Sequence, residues 1–235
     1  MALHRTIAII GCWLCWNWCA TMVSAAELDG RVELQGPAPA PMYLPIDRDA
    51  EACGSAPKRS ARLIVSAQGG VQNAVVVLPD APAPVADGAP AVMDQRGCEF
   101  VPHMLCVRPG VVVRFLNSDP AVHETRCFHD AEMLTRFTMP PRARPVERQF
   151  HHDGPLLVRC GLHPWMHAWI YVVPHGRYTV TDAAGRFQLP DVPPGTYQLR
   201  VWHEQLGSFA RTVTAGNTPT FVTVSFTQTT QEKRP

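Results

Sequence analysis

The stretch Cys160-Gly161-Leu162-His163-Pro164-Trp165-Met166 decides how the rest of the chain is read. It places a thiol, an imidazole and a thioether on one short loop. A second imidazole, His123, lies upstream, just after the strand-like run Val111-Val112-Val113-Arg114-Phe115-Leu116-Asn117. Two imidazole nitrogens and a thiolate make a trigonal plane around an ion, and a thioether caps it with a long, weak bond. Soft sulfur suits Cu(I) and imidazole suits Cu(II), so one ion is held in either state with little rearrangement. The Cys-x-x-His-x-x-Met spacing keeps three ligands on one tight turn, which Pro164 stiffens by fixing φ. His123, Cys160, His163 and Met166 are therefore the candidate ligands of one mononuclear copper ion. The bland alternative is a buried cysteine, a capping histidine and a core methionine that meet through packing alone.

These residues resemble the cupredoxin family, in particular its plastocyanin- and amicyanin-like members, whose metal loop also reads Cys-x-x-His-Pro-aromatic-Met. Pro102, the Pro109-Gly110 turn, Asn117-Ser118-Asp119 and His123 follow the cupredoxin order as well. The resemblance covers residues 92–173, about a third of the chain. It implies a Greek-key β-sandwich, with Asn117 and Ser118 bridging the ligand loops and orienting the Cys160 sulfur. Many cupredoxins place Asn directly after the first His, where it helps tie the two loops together. Here that position is Glu124, whose carboxylate is expected to lower the reduction potential or to open the site. Further on, Thr181-Asp182-Ala183-Ala184-Gly185-Arg186-Phe187 and Val192-Pro193-Pro194-Gly195-Thr196-Tyr197 resemble the carboxypeptidase-regulatory-like domain, a small transthyretin-like β-sandwich. The two together are similar to periplasmic proteins described as plastocyanin-like or methylamine-utilisation-like.

The first 26 residues read as a secretory signal: a short basic start at His4 and Arg5, an apolar run, then Ser24-Ala25-Ala26 before the cleavage point. Export to the periplasm is the expectation. Left uncleaved, the segment is long enough to span a bilayer, and this is the only route to a membrane. Cys19 as a lipidation site is disfavoured by Trp16-Asn17-Trp18 before it. Cleavage leaves Cys53, Cys98, Cys106, Cys127 and Cys160. An odd count is informative in an oxidising compartment. With Cys160 held by copper, the other four suffice for two disulfides. The residues do not choose among the three pairings; Cys53–Cys98 with Cys106–Cys127 is the working one, and free buried thiols are the alternative. A formal net charge of +1 gives no reason to expect nucleic acid as a partner.

With 23 prolines, 16 glycines and no long helical stripe, the chain reads as all-β. The expected division is a signal peptide (1–26), an N-terminal β segment with a Pro/Ala-rich linker (27–90), a cupredoxin copper domain (91–175) and a regulatory-like sandwich (176–228). A second arrangement stays open. Gly30-Arg31-Val32 and Ala74-Val75-Val76-Val77 suit strands of the regulatory-like sandwich, which would then be built from both chain ends with the copper domain inserted.

His103 is expected to pack on a strand, His129, His151, His152, His167 and His175 to be solvated, and Trp202-His203-Glu204 to be a packing unit at a strand end. In cupredoxins the second His surfaces through an apolar patch; carried over, Pro164, Trp165 and Pro140 would surround an exposed His163 edge where redox partners dock weakly. The expected function is a periplasmic type 1 (blue) copper protein that relays single electrons. With all four ligand positions filled it would not be an enzyme. The rival readings are a copper-handling protein without a dedicated electron-transfer role, and a structural β-protein.

Overall fold

Residues 26–35 alternate buried and half-buried side chains along their length, as a strand with one face on a core must. The same period-2 pattern recurs through the computed structural model, which describes residues 26–84 and 90–227. In chain order the strands are β1 (Ala26–Gln35), β2 (Tyr43–Leu44), β3 (Lys58–Arg59), β4 (Val75–Leu78), β5 (Ala91–Gln95) and β6 (Phe100–Val101). There follow β7 (Met104–Val107), β8 (Val112–Asn117), β9 (His123–His129), β10 (Glu132–Met139), β11 (Val146–Gln149) and β12 (Gly154–Cys160). The last are β13 (His167–Val172), β14 (Arg177–Val180), β15 (Arg186–Val192), β16 (Gly195–His203), β17 (Gly207–Ala215) and β18 (Thr220–Thr227). One short helix, α1 (Ala50–Cys53), interrupts them between β2 and β3. The expected signal segment lies outside the described residues except for Ala26, and part of the 79–90 linker lies outside them too. Among the described residues no helix is long and apolar enough to cross a membrane.

Two sandwiches share a junction. In the first, a five-stranded sheet (β10-β9-β12-β13-β7) faces a four-stranded one (β11-β8-β5-β6). Their core includes Met93, Phe115, Met139, Leu156 and Ile170. In the second, the sheets are β15-β1-β18 and β14-β4-β16-β17, around Leu28, Val76, Leu78, Leu199 and Val224. Thus β1 pairs parallel with β18 and antiparallel with β15, and β4 pairs with β14 and β16. Of the stretch 27–90, β1 and β4 lie among the strands of the C-terminal sandwich, so both chain ends build it, while β2 and β3 form a separate two-stranded sheet and Leu44, Ile46, Ala52 and Cys53 pack on the core of the first sandwich. The glycine in Gly30-Arg31-Val32 has a steric reason: a Cβ there would collide with the Val222 carbonyl and the Phe187 ring.

Strand β4 explains the junction. All four of its residues are buried, because alternate side chains serve different layers. Val76 and Leu78 enter the second core, while Val75 and Val77 meet Met104 and Val173 from the first sandwich. Trp202 closes this layer against Trp169 and Tyr171, with ring centroids 5.2 and 5.4 Å apart.

Cys53 and Cys98 form a disulfide across 45 residues. The other expected bridge does not form: Cys106 and Cys127 are free. Cys127 lies on β9 and Cys106 on β7, three strand spacings apart in one sheet. At about 4.8 Å per spacing this is ~14 Å, twice the ~7 Å limit for a bridge. They also serve different layers, Cys127 the first core and Cys106 the junction.

Candidate metal centre

The antiparallel register of β9 and β12 sets the site. It pairs Cys160 with Thr125, so the start of β9 and the end of β12 lie together. His123 opens one strand and Cys160 closes the other. Across the gap, the Gly161 N–H donates to the Glu124 carbonyl at 2.8 Å. The loop after Cys160 folds back on itself: the Met166 N–H donates to the His163 carbonyl at 3.0 Å, and the Cys160 N–H donates to the Met166 carbonyl at 3.1 Å. Residues 160, 163 and 166 are thereby held on one ring of backbone, and all three are buried.

His123, Cys160 and His163 come together. The two Nδ1 atoms are 3.0 Å apart, and the Cys160 Sγ lies 3.5 Å from His163 Nδ1 and 3.9 Å from His123 Nδ1. Both imidazoles are 0% exposed. On its far side each ring donates its Nε2–H to a carboxylate at 2.9 Å, His123 to Asp119 and His163 to Asp49. A carboxylate only accepts, so both protons sit on Nε2 and both Nδ1 atoms turn toward the thiol. Burial, partly offset by the Asp119 hydrogen bond, lowers the His123 pKa below its ordinary value and favours the neutral ring. Two Nδ1 atoms and one sulfur thus converge on one buried point. A cation bonded to nitrogen at about 2.0 Å and to sulfur at about 2.3 Å keeps trigonal ligands roughly 3.5–3.7 Å apart, and the observed triangle brackets that size. Met166, 2% exposed, packs in the same core as Cys160.

Asp119 and Asp49 hold the two rings from behind. Asp119 also accepts the N–H groups of Gly97 (2.5 Å) and Cys98 (2.8 Å). Asp49 occupies the N-cap position of α1 with φ 50°, yet its side chain reaches His163 instead of capping the helix. The turn at Cys98 links these contacts. It caps Asp119, its carbonyl accepts the Trp165 Nε1–H at 3.1 Å, and its sulfur tethers α1, which carries Asp49. Asp119, four residues before His123 within the Asn117-Ser118-Asp119 run, had a local signal. Asp49 is 114 residues from His163 and had none.

Other expectations change. Asn117 donates to the Ala121 and Met139 carbonyls and accepts the Asp119 N–H, so it braces the turn that carries Asp119 and His123. Ser118 bonds Asp94 at the surface. The Glu124 side chain is bound by Arg126 and Arg136. The Arg136 hydrogen bond leads in lowering its pKa. With its charge matched there, its backbone ties the ligand loops, the role the resemblance gives to Asn. Gly161 leaves room beside it for the Glu124 carboxylate and the Arg126 guanidinium, which a Cβ there would push aside. His163 presents no surface and Trp165 only 7%, so the expected exposed edge is covered by Asp49 and α1. His167, expected to be solvated, bonds Glu204 at 3.3 Å with 9% of its side chain exposed. Glu204 also accepts from His103. Burial raises the Glu204 pKa, but the two imidazoles outweigh it and bring it down to about 2.

A model of the carboxypeptidase regulatory-like domain matches residues 164–227, beginning inside the loop that follows Cys160. No curated protein matches the chain. Among solved structures, the copper-containing nitrite reductase of Thermus scotoductus SA-01 is similar over 38% of this chain and 25% of its own, at 25% identity and a TM-score of 0.31. The chain thus spans about a quarter of that protein's length. A purple cupredoxin from Nitrosopumilus maritimus aligns over 35% of this chain and 98% of its own (19% identity, TM-score 0.30). A reduced amicyanin variant aligns over 43% and 98% (22% identity, TM-score 0.33).

Proposed function

We propose that the chain is an exported type 1 copper protein that carries single electrons between larger redox proteins. One observation carries the reading: two Nδ1 atoms and a cysteine sulfur converge within 3.9 Å of one another, while both Nε2 atoms are tied to carboxylates. Copper, when bound, would supply a one-electron couple. His123, Cys160 and His163 would hold it and Met166 would tune its potential from the core side. Asp119 and Asp49 fix both rings and hold their protons on Nε2, which leaves Nδ1 free to bind. The Cys53–Cys98 disulfide supports export to an oxidising compartment such as the periplasm. With four protein ligands on one ion the role is that of a carrier and not an enzyme. Partners would approach over Asp49, 53% exposed, which bonds the buried His163.

A second reading, copper handling, is favoured by that same cover, since the ring edge of His163 is not itself presented to a partner. Loading the purified protein with Cu(II) and recording visible and EPR spectra separates the two. A carrier shows an intense thiolate-to-copper charge-transfer band and cycles reversibly. Stoichiometric copper with only weak colour, passed as Cu(I) to an acceptor, overturns the carrier reading.

A further inference from the structure

The junction between the sandwiches gathers three more ligand-type side chains. Parallel pairing of β13 with β7 aligns Trp169 with Met104, and the Trp169 N–H donates to the His103 carbonyl at 2.8 Å. This sets His103 beside His167, with ring centroids 5.0 Å apart and edge-on. Glu204 comes from the other sandwich, at the turn between β16 and β17. Its carboxylate lies between the rings, with Oε1 on His103 Nε2 and Oε2 3.3 Å from His167 Nε2. The side chains are 10%, 9% and 5% exposed. One ligand atom from each lies within 4.8 Å of the others. A cavity of about 270 Å³, lined by His103, His167, Met166, Trp165 and Lys58, opens beside them.

An ionised carboxylate buried at a domain junction carries a desolvation penalty of several kcal/mol. Hydrogen bonds from the two rings offset part of it, and a divalent cation would offset it by charge. Two imidazoles and one carboxylate suit an ion of borderline softness, and with no thiolate in the set Cu(I) is disfavoured. We infer that His103, His167 and Glu204 form a second metal site, for a divalent ion of the zinc or cupric type, which staples the two sandwiches together. The cavity is its entry path. His167 directly follows Met166, so one peptide bond joins this site to the loop of the first. The inference does not depend on the copper reading of Cys160.

Cobalt(II) is the probe, because thiolate ligation gives an intense near-ultraviolet charge-transfer band and an N/O site gives only weak d–d bands. The unmodified protein should bind two equivalents and show the band. Glu204→Gln keeps the size of the side chain and should bind one, with the band intact. His103→Gln keeps a donor to Glu204 while removing the ligand nitrogen, and should also bind one. Unchanged cobalt stoichiometry in both variants overturns the site and leaves Glu204 as a hydrogen-bonded latch. Failure of the copper reading looks different: the unmodified protein binds one equivalent without the band, and Glu204→Gln binds none.

Discussion

Two clusters on the first sandwich each offer a pair of histidines, and they use opposite ring nitrogens. At the candidate copper centre the carboxylates of Asp119 and Asp49 stand behind the rings and take the Nε2–H groups, so the Nδ1 atoms meet Cys160 with nothing else to bind. At the junction the carboxylate of Glu204 stands between the rings and takes both Nε2 contacts itself. The first arrangement leaves two Nδ1 atoms 3.0 Å apart beside a thiol, with no carboxylate between them. The second is self-satisfied and accepts an ion only by giving up hydrogen bonds. The position of the anion, behind the imidazoles or between them, decides how strongly a cluster calls for metal.

The largest break in this comparison is Cys160→Ser. It should abolish the copper charge-transfer band and weaken Cu(I) binding by at least about 100-fold, as read by competition with a chelator, because the only soft anionic ligand is gone. Glu204→Gln should leave the band unchanged. Next comes the Cys53→Ser/Cys98→Ser double variant. Opening a 45-residue loop should cost about 4 kcal/mol on the chain-entropy account, measured as a lower denaturant midpoint. The same variant frees α1, so solvent or a small oxidant should reach His163, and stopped-flow oxidation of the reduced copper form should speed up.

A smaller effect is expected for the carboxylates. Asp119→Asn removes a buried partner of His123 and should weaken copper affinity by about 10–100-fold. Asp49→Asn acts on a half-exposed partner and should lower affinity less than ~10-fold, the low end for groups behind a ligand. Equal losses in an isothermal copper titration would contradict the view that Asp119 is the firmer support. The smallest effect concerns Cys106 and Cys127, the free cysteines outside the candidate centre. Burial pushes the Cys127 thiol up to about 12 and also raises that of Cys106. A raised thiol pKa means the protonated, unreactive form at pH 8. Neither should be alkylated in the folded protein at that pH, and both should react on denaturation, as peptide mass spectrometry can show.

The ligand loop was legible because its geometry is local. Cys160, His163 and Met166 lie on one turn, and backbone bonds within that turn bring them together. His123 was legible from its place after a clearly alternating strand. At Glu124 a sequence shows that a carboxylate adjoins a candidate ligand but not that Arg126 and Arg136 hold it. Nothing local marks His167 as buried, because its partner, Glu204, lies 37 residues away on the other sandwich.

By itself the sequence determined the all-β class and singled out the candidate ligands, through period-2 alternation and a seven-residue spacing whose consequences are felt within a turn or a strand. Only the tertiary structure decided that β1 and β4 join the C-terminal sandwich, that Cys106 and Cys127 stay apart, and that Asp49 covers His163. Each of those depends on which distant segments pair. Pairing is selected by the combined burial of whole faces, a quantity no short stretch of residues contains.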